Sequence, residues 1–138
     1  MLRGKLIHPE ILETLGKAGH GSKILIADGN YPFTTGSNQS AKKVFLNLSP
    51  GLVSVTQVLQ ALVQVIPVES AQVMGKDGAE PTIFKEFREI MGQEITLQPL
   101  ERFAFYNASR DGNVALVIAT GEERTYANLL LTIGVVQG

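Results

Sequence analysis

The sequence predicts an α/β domain: a three-layer sandwich with a mainly parallel central sheet and helices on both faces. Three observations carry this reading. Apolar segments of strand length alternate with amphipathic segments of helix length for most of the chain, and the connections between them are short. Several of the strand segments are apolar at consecutive positions, as strands covered on both faces are. With 138 residues, no linker and no internal repeat, residues 1–138 read as a single domain.

The elements follow in order. His8-Pro9 reads as a helix start with Pro at the first helical position; Ile11, Leu12, Leu15 and Ala18 recur at helical spacing, and Gly19 stops the helix. Ile24 to Ala27 is a continuous apolar run, a strand. Residues 28–41 are rich in Gly, Asn, Ser and Thr and read as a loop, the longest irregular piece and so a candidate for function. Val44 to Leu48 is the next strand, and Pro50-Gly51 a turn. Val55, Val58, Leu59, Leu62 and Ile66 then mark an amphipathic helix, with Ser54 as its cap and Pro67 as its end. Ala71 to Met74 is a brief strand and Lys76 to Pro81 a loop. A helix through Ile83, Phe84, Phe87, Ile90 and Met91 stops at Gly92. Ile95 to Leu97 reads as a strand and Glu101 to Ala108 as a short helix. Val114 to Ala119 and Leu129 to Ile133 are apolar strands close enough in sequence to add an antiparallel element.

Composition narrows the function. The net charge is −1 with no Lys/Arg block, which argues against nucleic acid or an anionic membrane as partner. The absence of Cys removes disulfides, thiolate metal sites and a Cys nucleophile, and two distant His residues make a His metal site a poor expectation. No apolar run approaches the roughly 20 residues of a membrane span, and MLRGKLIHPE lacks the apolar core of a signal peptide; the expected location is the cytoplasm. There is no GxxxxGK[ST] and no GxSxG, and Gly19-His20-Gly21 precedes a strand, the wrong order for a dinucleotide fingerprint.

What remains is an acid–base site built from His, Asp and Tyr. Ligands of such folds sit beyond the carboxyl ends of the strands, where Asp28 ends one apolar run and Thr120, Gly121 and Glu122 follow another. Each candidate also has a plain structural reading: His20 as a helix-end residue, Asp28 as a loop cap, Arg102 as a solvated surface cation, Tyr126 as half-buried packing, Asn128 as a turn residue.

Three stretches, GHGSKILIADGNYP at 19–32, LERFAFY at 100–106 and ATGEERTYANLLLTIGV at 119–135, resemble the motif regions of the RbsD/FucU sugar mutarotases, a family of fucose mutarotases and ribose pyranases. The resemblance runs from the first helix to the C-terminus. It implies an α/β sandwich that uses neither metal nor cofactor and assembles into oligomers, often decamers of two stacked five-membered rings, with sites near subunit contacts. It puts the proton donor on His20 and sugar-binding positions on Asp28, Arg102, Tyr126, Ala127 and Asn128, with Tyr126 and Asp28 both open as the base. Arg102 in RFAFY resembles the fucose branch, whereas ribose pyranases carry His there. Two features point away from that branch: the stretch VFLNLSPGLVSVTQVLQALVQVI lacks its Arg-Ala-Asp-Gly-Leu piece, and the loop reads DGNYP. The expectation is L-fucose or a related sugar, with D-ribose second and a non-catalytic sugar-binding protein or a structural ring protein as the other classes.

Overall fold

The computed structural model describes residues 1–75 and 78–138; of the loop expected at 76–81, Lys76 and Asp77 lie outside the described residues. The described residues form α1 (Pro9–Lys17), β1 (Lys23–Ala27), β2 (Lys42–Phe45), α2 (Val55–Leu62), β3 (Val68–Met74), α3 (Ile83–Met91), β4 (Leu97–Leu100), α4 (Arg102–Ser109), β5 (Val114–Ala119) and β6 (Leu129–Ile133). One sheet runs in the order β2-β5-β1-β6-β3-β4. β2, β5 and β1 are mutually parallel, as are β3 and β4; β6 lies between the two groups, antiparallel to both β1 and β3. The expected antiparallel element is therefore real, but its partners are β1 and β3 rather than β5.

The continuous apolar character of β1 has the cause the sequence suggested. Ile24 and Ile26 point into a core built with Ile11 of α1, Leu59 and Leu62 of α2 and Phe87 of α3, whereas Leu25 and Ala27 point into a second core with Phe105 of α4. Helices α1, α2 and α3 form one outer layer. Helix α4 and the loop at 28–41 form the other. That loop is packed rather than loose: Tyr31 is buried and its hydroxyl donates to the Gly36 carbonyl at 2.6 Å, and Asn38 bonds both the Ser109 and the Val114 carbonyls.

Local chemistry fixes the ends. His8 accepts the Ile11 N–H on its Nδ1 while Pro9 occupies the first turn of α1. Ser54 and Gln57 form a reciprocal capping box on α2. That helix ends at Leu62, short of the expected Ile66; the β-branched residues Val63, Val65 and Ile66 continue as tight turns. β3 starts earlier than expected: the exposed Glu69 and Ser70 carry no apolar signal, yet Val68 and Ser70 pair with β6 on either side of a register shift at Glu69. β4 is displaced from Ile95–Leu97 to Leu97–Leu100. It takes in Pro99, which an edge strand tolerates because one row of its backbone donors is unpaired. No helix among the described residues is long and apolar enough to cross a membrane.

Because β6 joins the two parallel halves, its core side chains carry the sheet. Leu131 is fully buried on the face covered by α1–α3. Leu131→Ala is expected to cost about 2–5 kcal/mol, read as a fall in the urea midpoint of the native protein.

Candidate functional site

Asp28 follows the last residue of β1, and β6 begins beside it, since the antiparallel register sets Ile26 against Leu129. The Asp28 N–H donates to Oδ1 of Asn128 at 2.7 Å. The Asp28 carboxylate accepts the Asn30 N–H at 3.0 Å and, more loosely, the Ala127 N–H at 3.4 Å. Asp28 and Asn128 are each 3% exposed. Burial pushes the Asp28 carboxyl above the usual carboxylate range, against the opposing pull of the Asn30, Ala127 and Tyr31 amides and the Asn128 side chain.

Tyr126 is half-buried and has φ 59°, in the left-handed region that a bulky side chain rarely enters. Strain of this kind persists where neighbours over-determine the backbone, as Ala127 and Asn128 do here through Asp28. Arg102 comes from the other side, in the first turn of α4. Glu101 caps that helix by accepting the Ala104 N–H at 2.7 Å. The fully buried Phe105 anchors α4 against the sheet, and Tyr31 meets Phe105 and Tyr106 edge to face at 6.0 and 5.3 Å.

Asp28, Arg102, Tyr126 and Asn128 thus line one open cavity of about 280 Å³, together with Asn30 and Tyr106. Ala127 is buried beneath it and contributes its N–H. A wider cleft of about 470 Å³ adjoins, sharing Arg102 and Tyr126 and bounded by Phe103 and Pro99. Tyr106 and Tyr31 were missed by the sequence reading. Tyr106 stands one helical turn after Arg102, a spacing that puts both on one face. Tyr31 is buried with its hydroxyl given to the Gly36 carbonyl, and burial pushes its phenol up to about 12.

His20 is not brought to this cavity. It sits in the turn before β1, with the length of that strand, about 17 Å for five residues, between it and Asp28. Its side chain is 58% exposed, and Nε2 lies 3.0 Å from Oε1 of Glu69. Among the described residues no group of three or more His, Asp or Glu side chains is placed to hold a metal ion.

The segment that carries Tyr126 to Asn128 is fixed from behind. Glu122 is 5% exposed and accepts the Val55 N–H at the start of α2 as well as Arg124 Nε at 2.7 Å, while Arg124 also pairs with Glu86 of α3. Burial opposes ionisation of Glu122. The Arg124 side chain and amide, with the Val55 amide, outweigh it and hold the carboxyl below the usual range. Gly121 closes the arrangement: a Cβ there would lie 2.3 Å from the Leu52 carbonyl oxygen and 2.4 Å from that of Ser49. Glu122→Gln is expected to cost about 1.5–3 kcal/mol at neutral pH. With the folded pKa lowered, the unfolded chain binds the proton first. The contribution is complete above the usual Glu range and disappears as pH falls through the lowered value. Urea unfolding at pH 7 and in acid should show wild type and variant converging in acid.

A compact α/β domain with a polar cavity at the carboxyl end of β1, lined by a carboxylate, a guanidinium, phenols and a carboxamide, belongs to the class that holds small hydroxyl-rich ligands. The chain is a member of the RbsD / FucU transport protein family, whose family model matches residues 1–136. It is 31% identical to a fucose mutarotase of Mus musculus over 144 aligned positions, covering 94% of this chain and 90% of that one. Among solved structures it resembles the fucose mutarotase of Streptococcus pneumoniae in complex with L-fucose (TM-score 0.83, 29% identity, 99% of this chain and 100% of that one). It also resembles Bacillus subtilis RbsD complexed with D-ribose (TM-score 0.84, 26% identity, again 99% and 100%).

Proposed function

We propose that this protein is a monosaccharide mutarotase that interconverts anomers of L-fucose or a related sugar by acid–base ring opening and closure. The observation that carries the reading is the gathering of Asp28, Arg102, Tyr126 and Asn128, from three separate stretches of the sequence, around one cavity in a chain of this family. Opening a hemiacetal takes a proton from the anomeric hydroxyl. The bond from the anomeric carbon to the ring oxygen breaks with its electrons going to that oxygen, which accepts a proton. The aldehyde rotates and the ring recloses on its other face. Positioned acids and bases contribute about 10²–10⁴ each to such a step. Asp28 and Asn128 read sugar hydroxyls, and Arg102 offers a fixed fork of donors. Tyr126 and Asp28 remain the candidates for the base. Asp28 is suited by a carboxyl whose burial moves it toward neutrality.

His20 is the proposed proton donor, and its place at the opposite end of β1 supports a shared site in which the His20 serving one cavity comes from a second copy of the chain. Apolar side chains left uncovered support an assembly: Phe103 beside Arg102 is 67% exposed, and Leu48 and Val136 are also exposed. A homo-oligomer, with the decamer as the form the family resemblance implies, would cover them. D-ribose pyranose–furanose exchange is the second reading, favoured by the missing Arg-Ala-Asp-Gly-Leu piece and by the likeness to the ribose-bound RbsD.

Saturation-transfer NMR should detect anomer exchange of L-fucose ahead of D-ribose. Arg102→His is expected to move the ratio toward ribose, and an unchanged ratio would place the choice elsewhere. His20→Ala should lower exchange by at least about 10²-fold while the protein stays assembled. A shared site makes a further demand. Co-refolding inactive His20→Ala with inactive Asp28→Asn chains should restore about a quarter of wild-type exchange, since a quarter of the sites draw an intact His and an intact Asp from different copies. No restoration would show that both residues serve the same chain.

A further inference from the structure

We infer that Glu69 is a positioning residue for His20, fixing which imidazole nitrogen is presented to the sugar; this rests on the mutarotase reading above. Oε1 of Glu69 lies 3.0 Å from Nε2 of His20. An ionised carboxylate only accepts, so Nε2 keeps its proton toward Glu69 whether the ring is neutral or cationic; Nδ1 is then the nitrogen that, in the imidazolium, gives its proton to the sugar ring oxygen and regains it when the ring recloses. Glu69 touches the substrate nowhere in this scheme. It acts through the ring, as the carboxylate behind a catalytic or metal-bound His does.

Three backbone features converge on this pair. The β3–β6 register shifts between Val68 and Ser70, so a bulge falls on Glu69. Bulges re-aim side chains and are common beside active sites. This one places no core residue, because Glu69 and Ser70 are both exposed; its effect is on where the carboxylate points. Gly134 passes so close that a Cβ there would meet Cβ of Glu69 at 3.2 Å. Gly21, which follows His20, has φ 87° and donates its N–H to the Ile133 carbonyl at 2.9 Å, tying the His20 turn to the same end of β6. In one chain the two side chains are 58% and 50% exposed, where a pair holds its geometry weakly. Coverage by a second copy would dry the pair and strengthen it.

The test uses the full-length assembled protein. Imidazole ¹⁵N NMR, with the His20→Ala spectrum separating His20 from His8, should show His20 in a single Nε2–H form, and Glu69→Ala should turn it into a mixture. The exchange rate at saturating L-fucose should fall about tenfold, with half-saturation within twofold of wild type and the assembly intact. Glu69→Gln, which keeps the size and one acceptor but can also turn an N–H₂ toward the ring, should fall between the two. Exchange within twofold of wild type in Glu69→Ala overturns the inference. So does a loss of rate that accompanies a weakened assembly while the tautomer stays put, which marks Glu69 as a pin for the turn. Absence of exchange in the wild-type protein on any sugar sinks the mutarotase reading and this inference with it; exchange that survives Glu69→Ala sinks the inference alone.

Discussion

The antiparallel insertion of β6 is the constraint on which the rest of the structure depends. Two parallel groups, β2-β5-β1 and β3-β4, have no other connection within the sheet. A strand running against its neighbours starts where they finish. Hence Asn128 and Ala127, at the beginning of β6, stand beside Asp28 at the end of β1, and hydrogen bonds close the gap. The same geometry operates at the far end, where β6 finishes beside the turn that holds His20 and beside the start of β3. One strand therefore organises both groups of polar residues, and it keeps them a strand's length apart.

Two buried carboxylates flank the segment from 120 to 128 and behave oppositely. Asp28 is held by amide dipoles and, among the described residues, makes no ion pair, so burial wins and its carboxyl rises. Glu122 has Arg124 against it and the start of α2 in front, so attraction wins and its carboxyl falls. Separation of this kind sorts roles. The fully paired Glu122 holds the backbone still, whereas the unpaired Asp28 faces the cavity with a proton affinity moved in the useful direction. Arg124 is committed to the support, while Arg102 shares the cavity with Asp28 without forming an ion pair with it among the described residues.

Much of this was legible in the sequence, and the boundary has physical causes. β5, β6 and α3 fall on the expected residues because their apolar patterns are complete. β4 was displaced because the pattern followed Ile95 and an edge strand ignores that logic at Pro99. Asp28 was visible because a continuous apolar run stops there. Arg102, Tyr126, Ala127 and Asn128 were visible through family resemblance, since nothing in their spacing announces that residues 28, 102 and 128 meet. His20 and Asp28 read as parts of one acid–base site, yet the extended chain between them sets them at opposite ends of β1. Glu69 had no signal at all, its partner being 49 positions away and set by a bulge.

Gly121 gives the site an unusual pattern of evolvability. Its missing side chain is where the turn at Ser49–Leu52 rests, with carbonyl oxygens at 2.4 and 2.3 Å from where a Cβ would be. A substitution there acts as a wedge on a turn some seventy positions earlier, and through it on Val53 and the start of α2. Arg102, by contrast, is exposed in the first turn of α4 and lines the cavity from its rim. Diversification of the binding surface is thus channelled to the α4 side. A randomised library over 119–128 would return glycine at 121 from every selection for folded protein, while position 102 would accept change and expose it directly to selection on the sugar.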